Sequence, residues 1–125
     1  MPFLGRFPAL PRVLNPYMLP LARKVPPLVV LRHFGRRTGR TFEAPVMAFA
    51  TGRGHIVALT YGHDPNWALN LLAAGQGEMV RAGRRYAISD PRRRTDAHAD
   101  VPAPIAAILR AMDVHDFLEF TTTPL

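Results

Sequence analysis

The segment Gly35-Arg36-Arg37-Thr38-Gly39 gathers the residue types that hold an anion. Glycine reaches backbone conformations closed to other residues, so main-chain amides at Gly35 and Gly39 can turn toward one point. Arg36, Arg37 and Arg40 add charge in a form suited to phosphate and carboxylate, and Thr38 adds a hydroxyl donor. A hairpin with solvated arginines accounts for the same residues, so the turn alone leaves both readings open. Further along, Trp67, Asn70, Leu71 and Ala74 stand at i, i+3, i+4 and i+7, one face of a helix. A tryptophan so placed is ordinarily core. Asn70 is harder to bury, because an amide without partners is costly in an apolar setting. A ligand with a ring surface and an imide-like edge satisfies Trp67 and Asn70 together.

Between these two groups, Tyr61, Thr60 and His63 carry hydroxyl and imidazole groups in one loop. Each can donate a proton or a hydrogen bond to a developing anion, Tyr61 first. The plain alternatives are that Tyr61 packs and that His63 is an exposed loop residue. Other chemistries find less support. His33, His55, His98 and His115 are dispersed without the spacing of an H-x-x-x-H ligand pair, so no metal site is expected. Ser89 has neither a nucleophile elbow nor a paired histidine. The chain has no cysteine, which excludes disulfides and thiolate ligands.

The elements that must position these residues read as a β-meander. Residues 28–33, 41–50 and 55–60 are β-branched or alternating runs, separated by the glycine turn and by Thr51-Gly52-Arg53-Gly54. Asp64 is placed to cap a helix that begins at Pro65 and stops at Gly75. Two short strands, 78–81 and 84–88, join through Ala82-Gly83, and a basic loop, Pro91-Arg92-Arg93-Arg94, follows. Residues 102–112 carry helical apolar spacing at Ile105, Ile108, Leu109 and Met112, and 117–122 reads as a closing strand. The expected fold is mainly β with some α (α+β), a small barrel of about six antiparallel strands with two or three short helices. Residues 1–27 read as a proline-studded leader and 28–125 as one domain.

The leader can start a short helix at Asn15-Pro16. It reads first as an arm packed on the core or on a second subunit, and second as a membrane-surface anchor helped by Arg12, Arg23 and Lys24. The chain is 125 residues long, the size of a single domain. Lysine plus arginine number 16 against 9 acids, a formal charge of +7 that attracts polyanions. The cluster Arg81, Arg84, Arg85 and Arg92 to Arg94 has only Tyr86 as aromatic company, so nucleic acid is not the expected partner. Pro8, Pro11, Pro16 and Pro20 interrupt the apolar run that a signal peptide needs, and no run is long enough to span a bilayer. A cytosolic location is expected, with peripheral membrane contact through the leader as the variant.

Taken in order, Leu31-Arg32-His33-Phe34-Gly35-Arg36-Arg37-Thr38-Gly39, Pro45-Val46, Thr60-Tyr61-Gly62 and Trp67-Ala68-Leu69-Asn70-Leu71 with Ala74 resemble the deazaflavin-dependent nitroreductase family. The resemblance runs from about Pro27 to Ile88. It implies a split β-barrel related to FMN-binding flavoproteins, and use of 8-hydroxy-5-deazaflavin, coenzyme F420. It implies hydride transfer to quinones, nitroaromatics, enones or lipid-like acceptors. Carried over, Gly35, Arg36, Arg37, Thr38 and Gly39 hold the phosphate and acidic tail, and Pro45 ends that motif. Thr60 lies beside the ring, and Trp67 and Asn70 pack near it and bond to it. Where the family carries an arginine this chain has Phe42, and where it often carries a lysine it has Tyr61. Arg40, two residues before Phe42, is the replacement cation if the strand begins there.

The expectation is therefore a reductase using coenzyme F420, with FMN as the alternative cofactor and a homodimer as the assembly. The acceptor pocket is expected among the leader and the C-terminal half, with Met18, Phe117 and Phe120 as lining. The competing expectation is a non-enzymatic basic module for nucleic acid or an anionic membrane surface.

Overall fold

Alternation builds the first strand, β1 (Leu28–Phe34): Val29, Leu31 and His33 turn to one face and are buried, while Arg32 and Phe34 turn to the other. The computed structural model describes residues 26–60, 62 and 64–125. The leader helix at Asn15-Pro16 and the lining residue Met18 lie outside these.

The glycine turn folds the chain back into β2 (Thr41–Met47), which pairs with β1 antiparallel along its full length. The run expected as one strand over 41–50 is two. Ala48 leaves the ladder, its N–H bonds the Pro27 carbonyl at 2.9 Å, and the chain resumes as β3 (Phe49–Ala50) beside β4 (Gly54–Ala58). Helix α1 (Asn66–Ala74) follows, then β5 (Gln76–Arg81) and β6 (Arg84–Thr95). A single 3-10 turn (His98–Asp100) leads to α2 (Ala103–Ala111), and β7 (Asp116–Pro124) closes the chain.

The seven strands form one antiparallel sheet in the order β2-β1-β5-β6-β7-β4-β3. β2 and β3 stand at opposite ends of that order yet are consecutive in the chain, with Ala48 between them. The sheet must therefore curl until its ends approach, which makes a half-barrel. Ala68 and Leu71 of α1 fill its inner face with Val29, Leu31, Met79, Leu118 and Phe120. On the outer face, Ile56 and Phe117 pack against Ala106 and Leu109 of α2.

Two local expectations are corrected. Asp64 does not cap α1: Pro65 holds the cap position in extended backbone, without a side-chain bond, and Asp64 pairs with Arg93 instead. Gly75 does stop the helix, in left-handed backbone (φ 72°) with its N–H on the Leu71 carbonyl. The basic loop is also not a loop. A bulge between Ser89 and Arg92, with Asp90 at φ 51°, absorbs Pro91, and Arg92 to Thr95 then pair with Glu119 to Asp116. Among the described residues no helix is long and apolar enough to cross a membrane.

Candidate functional site

The turn that joins β1 to β2 owes its shape to both glycines. Gly39 sits at φ 72°, and a Cβ on Gly35 would lie 2.9 Å from the Phe42 ring and 3.0 Å from Thr38 Oγ1. Its amides, however, are largely spent within the protein. Gly35 N–H bonds the Arg40 carbonyl, Gly39 N–H the Gly35 carbonyl, Arg40 N–H the Thr38 hydroxyl oxygen, and Arg36 N–H the Asn70 side chain. The expected amide cradle gives way to a charged rim, in which the exposed Arg37 and Arg40 offer guanidinium groups and Thr38 a hydroxyl.

Asn70 is the hinge of this arrangement. It is 4% exposed, and its amide oxygen accepts from Arg36 twice, from the backbone N–H at 3.2 Å and from Nη1 at 2.7 Å. Arg36 also reaches Asn66 Oδ1 at 3.4 Å. Two donors on one amide atom identify it as oxygen, so Nδ2 is the donor to His33 Nδ1 at 2.9 Å. His33 is buried, and burial holds its pKa below the ordinary imidazole value. The polar groups of Asn70 are thus paired by Arg36 and His33.

Phe42, which stands where a cation was expected, stacks on His33 with ring centroids 5.8 Å apart. It is directly opposite His33 in the β1–β2 register. Arg40 precedes β2, so strand alternation does not align it with Phe42. Its use as a replacement cation rests on exposure alone.

A cavity of about 460 Å³ opens beside the start of α1, where Pro65 and Trp67 line it. Pro45, Thr60 and Trp67, named separately by the sequence, all line it. Its remaining walls are apolar, from Val46 and Met47 of β2 across to Ile105, Ile108, Leu109 and Met112 on or just after α2. Among the described lining residues, the Thr60 hydroxyl and the Trp67 indole N–H are the side-chain hydrogen-bonding groups. A cavity of this size, apolar with few polar points, is the form that small-molecule sites take. Tyr61 and His63 lie outside the described residues.

The expected lining residues Phe117 and Phe120 are instead fully buried, in the outer and inner core respectively. The α2 face takes their place. Its spacing was legible as a helix, but nothing local tells a face that packs on a sheet from one that leaves room for a ligand. The arginines at the end of β6 are committed to carboxylates: Arg92 and Arg94 to the buried Glu119, Arg94 also to Asp100, and Arg93 to Asp64. The Glu119 carboxylate beside Arg94 raises that guanidinium's already high pKa.

No protein-family model matches the chain, and no curated protein matches it in sequence. Solved structures share its fold. An F420-H2 dependent reductase (FDR-A) superposes with a TM-score of 0.52 at 16% identity, covering 76% of this chain and 94% of the other. HutZ, described as a heme storage protein from Vibrio cholerae, gives 0.53 at 16% identity over 90% of both chains. A chain described as a domain-swapped dimer gives 0.52 at 16% identity, over 86% of this chain and 96% of its own. The fold is the split barrel, antiparallel β with two α-helices among the described residues.

Proposed function

We propose that this chain is an oxidoreductase that uses reduced coenzyme F420 to deliver a hydride to a small lipophilic acceptor, such as a quinone, nitroaromatic, enone or unsaturated lipid. The observation that carries the reading is the convergence of Pro45, Thr60 and Trp67 on one apolar cavity, with the arginine turn docked on the same helix through Asn70. A neighbour described as an F420-H2 dependent reductase supports a site of this class on this fold.

The residues present fit a planar ring with an anionic tail. The cavity measures about 460 Å³, and its walls carry no charged side chain among the described residues. Pro45, Thr60 and Trp67 would hold the ring. Arg37, Arg40 and Thr38 would hold the phosphate and acidic tail, with Arg36 and the two glycines setting the shape of the turn. When bound, the cofactor supplies the hydride.

The chain's own residues orient and shield. Val46, Leu109 and Met112 would exclude water and hold the acceptor's apolar body in the cavity. The Thr60 hydroxyl donates a hydrogen bond to the acceptor oxygen that gains charge, and the Trp67 indole N–H is a second donor at the same wall. Tyr61 and His63, adjoining Thr60 in the chain, remain the proton-donor candidates. A homodimer belongs to this reading, supported by the neighbour described as a domain-swapped dimer.

Titration of the purified protein with coenzyme F420, FMN and haem, read through Trp67 fluorescence, tests the assignment. Quenching by coenzyme F420 at micromolar concentration, weakened in Arg37→Ala/Arg40→Ala, is the expected result. Tight binding of FMN or haem without a response to F420 overturns the cofactor. Binding to a polyanion alone, with a steep salt dependence, would favour the basic-module reading.

A further inference from the structure

The segment that carries α2 leaves the sheet after Thr95 and returns at Asp116, and a bond from Asp96 N–H to the His115 carbonyl at 2.7 Å ties its two ends. At that base, one ligand atom from each of Asp96, His98 and His115 falls within 4.8 Å of the others. The three residues come from the end of β6, the start of the 3-10 turn and the approach to β7, so only the fold assembles them.

Each imidazole is held by an acceptor outside the trio. His98 is 5% exposed, its ring edge-on to Phe117, and its Nε2–H donates to the Val114 carbonyl at 2.8 Å. That bond leaves Nδ1 as the metal-ligating nitrogen of His98. His115 Nε2–H donates to Asp113 Oδ1 at 2.8 Å, while its Nδ1 lies 2.8 Å from Asp96 Oδ1. A carboxylate or carbonyl behind each histidine is the arrangement that orients imidazoles at metal centres. An ion-pair chain of Asp96, His115 and Asp113 accounts for those three residues. It does not account for His98, a buried side chain that also brings a ligand atom within 4.8 Å of the other two.

We propose that Asp96, His98 and His115 form a binding site for a divalent transition metal, with Asp113 and the Val114 carbonyl orienting the two imidazoles. Two nitrogens and one carboxylate oxygen suit zinc, cobalt or nickel rather than calcium or magnesium, which prefer all-oxygen sets. The fourth position faces outward, since the Asp96 and His115 side chains are 67% and 44% exposed, and takes water or a ligand from solution. A bound ion clamps the base of the excursion whose helix supplies Ile105, Ile108 and Leu109 to the cavity wall. The site does not depend on which cofactor the cavity takes.

Titration of chelator-treated full-length protein with Co2+ and with Zn2+ tests the proposal. The expected result is one ion per chain, with visible Co2+ absorption of tetrahedral intensity that Zn2+ abolishes. Asp96→Asn and His115→Gln alter exposed side chains, and asparagine tolerates the left-handed backbone at Asp96 (φ 53°), so both variants should fold. Each should weaken Zn2+ binding by at least about tenfold. Asp113→Gly, which removes the outer acceptor and suits the left-handed backbone there (φ 59°), should weaken it by about tenfold. No uptake by the wild-type chain, or uptake that Asp96→Asn and His115→Gln leave unchanged, overturns the site.

Discussion

Asn70 accepts a hydrogen bond from Arg36 Nη1 at 2.7 Å and donates one to His33 at 2.9 Å, so one buried amide on α1 holds the glycine turn and the end of β1 together. The turn's position is therefore set by the helix that also carries Trp67. Asn70→Ala leaves the Arg36 amide and the His33 ring without partners. It should destabilise the fold by about 1–3 kcal/mol in urea unfolding. It should also lower the affinity for an anionic ligand at the turn more than the Arg40→Ala change does.

The glycines differ in what surrounds them. Gly35→Ala presses a methyl on the Phe42 ring, which can move, so a loss of about 1–3 kcal/mol is expected. Phe42→Leu in the same chain should restore part of it. Gly54→Ala meets the Phe120 carbonyl at a separation no side-chain movement relieves, since both belong to the β4–β7 ladder. That variant should fail to yield soluble protein, while Gly35→Ala should be recovered and measurable.

Ile108 is 54% exposed and lines the cavity. Ile108→Ser should leave thermal stability nearly unchanged, within about 0.5 kcal/mol. Under the reductase reading it should raise KM for a lipophilic acceptor with little change in kcat, because it removes binding common to ground and transition states. An unchanged KM across acceptors of rising hydrophobicity would count against α2 as the acceptor wall.

Acid should loosen the structure in two stages. His33 and His55 are buried with pKa values below the ordinary 6.5, the latter also because of Arg81. The unfolded chain then binds more protons than the folded one, so stability is full above pH 6.5 and is lost as pH falls toward the lower folded values. Glu78, held below 4.5 by Arg85 and Arg32, contributes stability that is full above 4.5 and lost on further acidification. Urea midpoints between pH 8 and pH 5 should fall for the wild type and fall less for His33→Gln.

The arginines of β6 are structural. Arg94→Ala takes one cation from Glu119, whose side chain is only 9% exposed, and Arg92 is the other. A loss of about 1–3 kcal/mol is expected. Arg37→Ala, at an exposed turn residue, should change stability by no more than about 0.5 kcal/mol while weakening an anionic ligand. Equal effects of the two changes on polyanion binding would favour the basic-module reading instead.

The sequence by itself determined the strands that alternate, the glycine that stops α1, the apolar spacing of α2 and the residue types of the arginine turn, because these signals act over a few residues. It could not show that β6 runs on through Pro91, since a bulge is defined by the partner strand, nor that Thr41 to Ala50 breaks at Ala48 to reach the far edge of the sheet. Tertiary structure alone decided the partners of Asn70, which lie 34 and 37 positions away in the chain. It alone gathered Pro45, Thr60, Trp67 and the α2 face around one cavity, and brought His98 and His115 beside Asp96. The physical reason is common to all of these. Closing a curled sheet selects which distant side chains meet, and that selection depends on the packing of the whole core rather than on any local pattern.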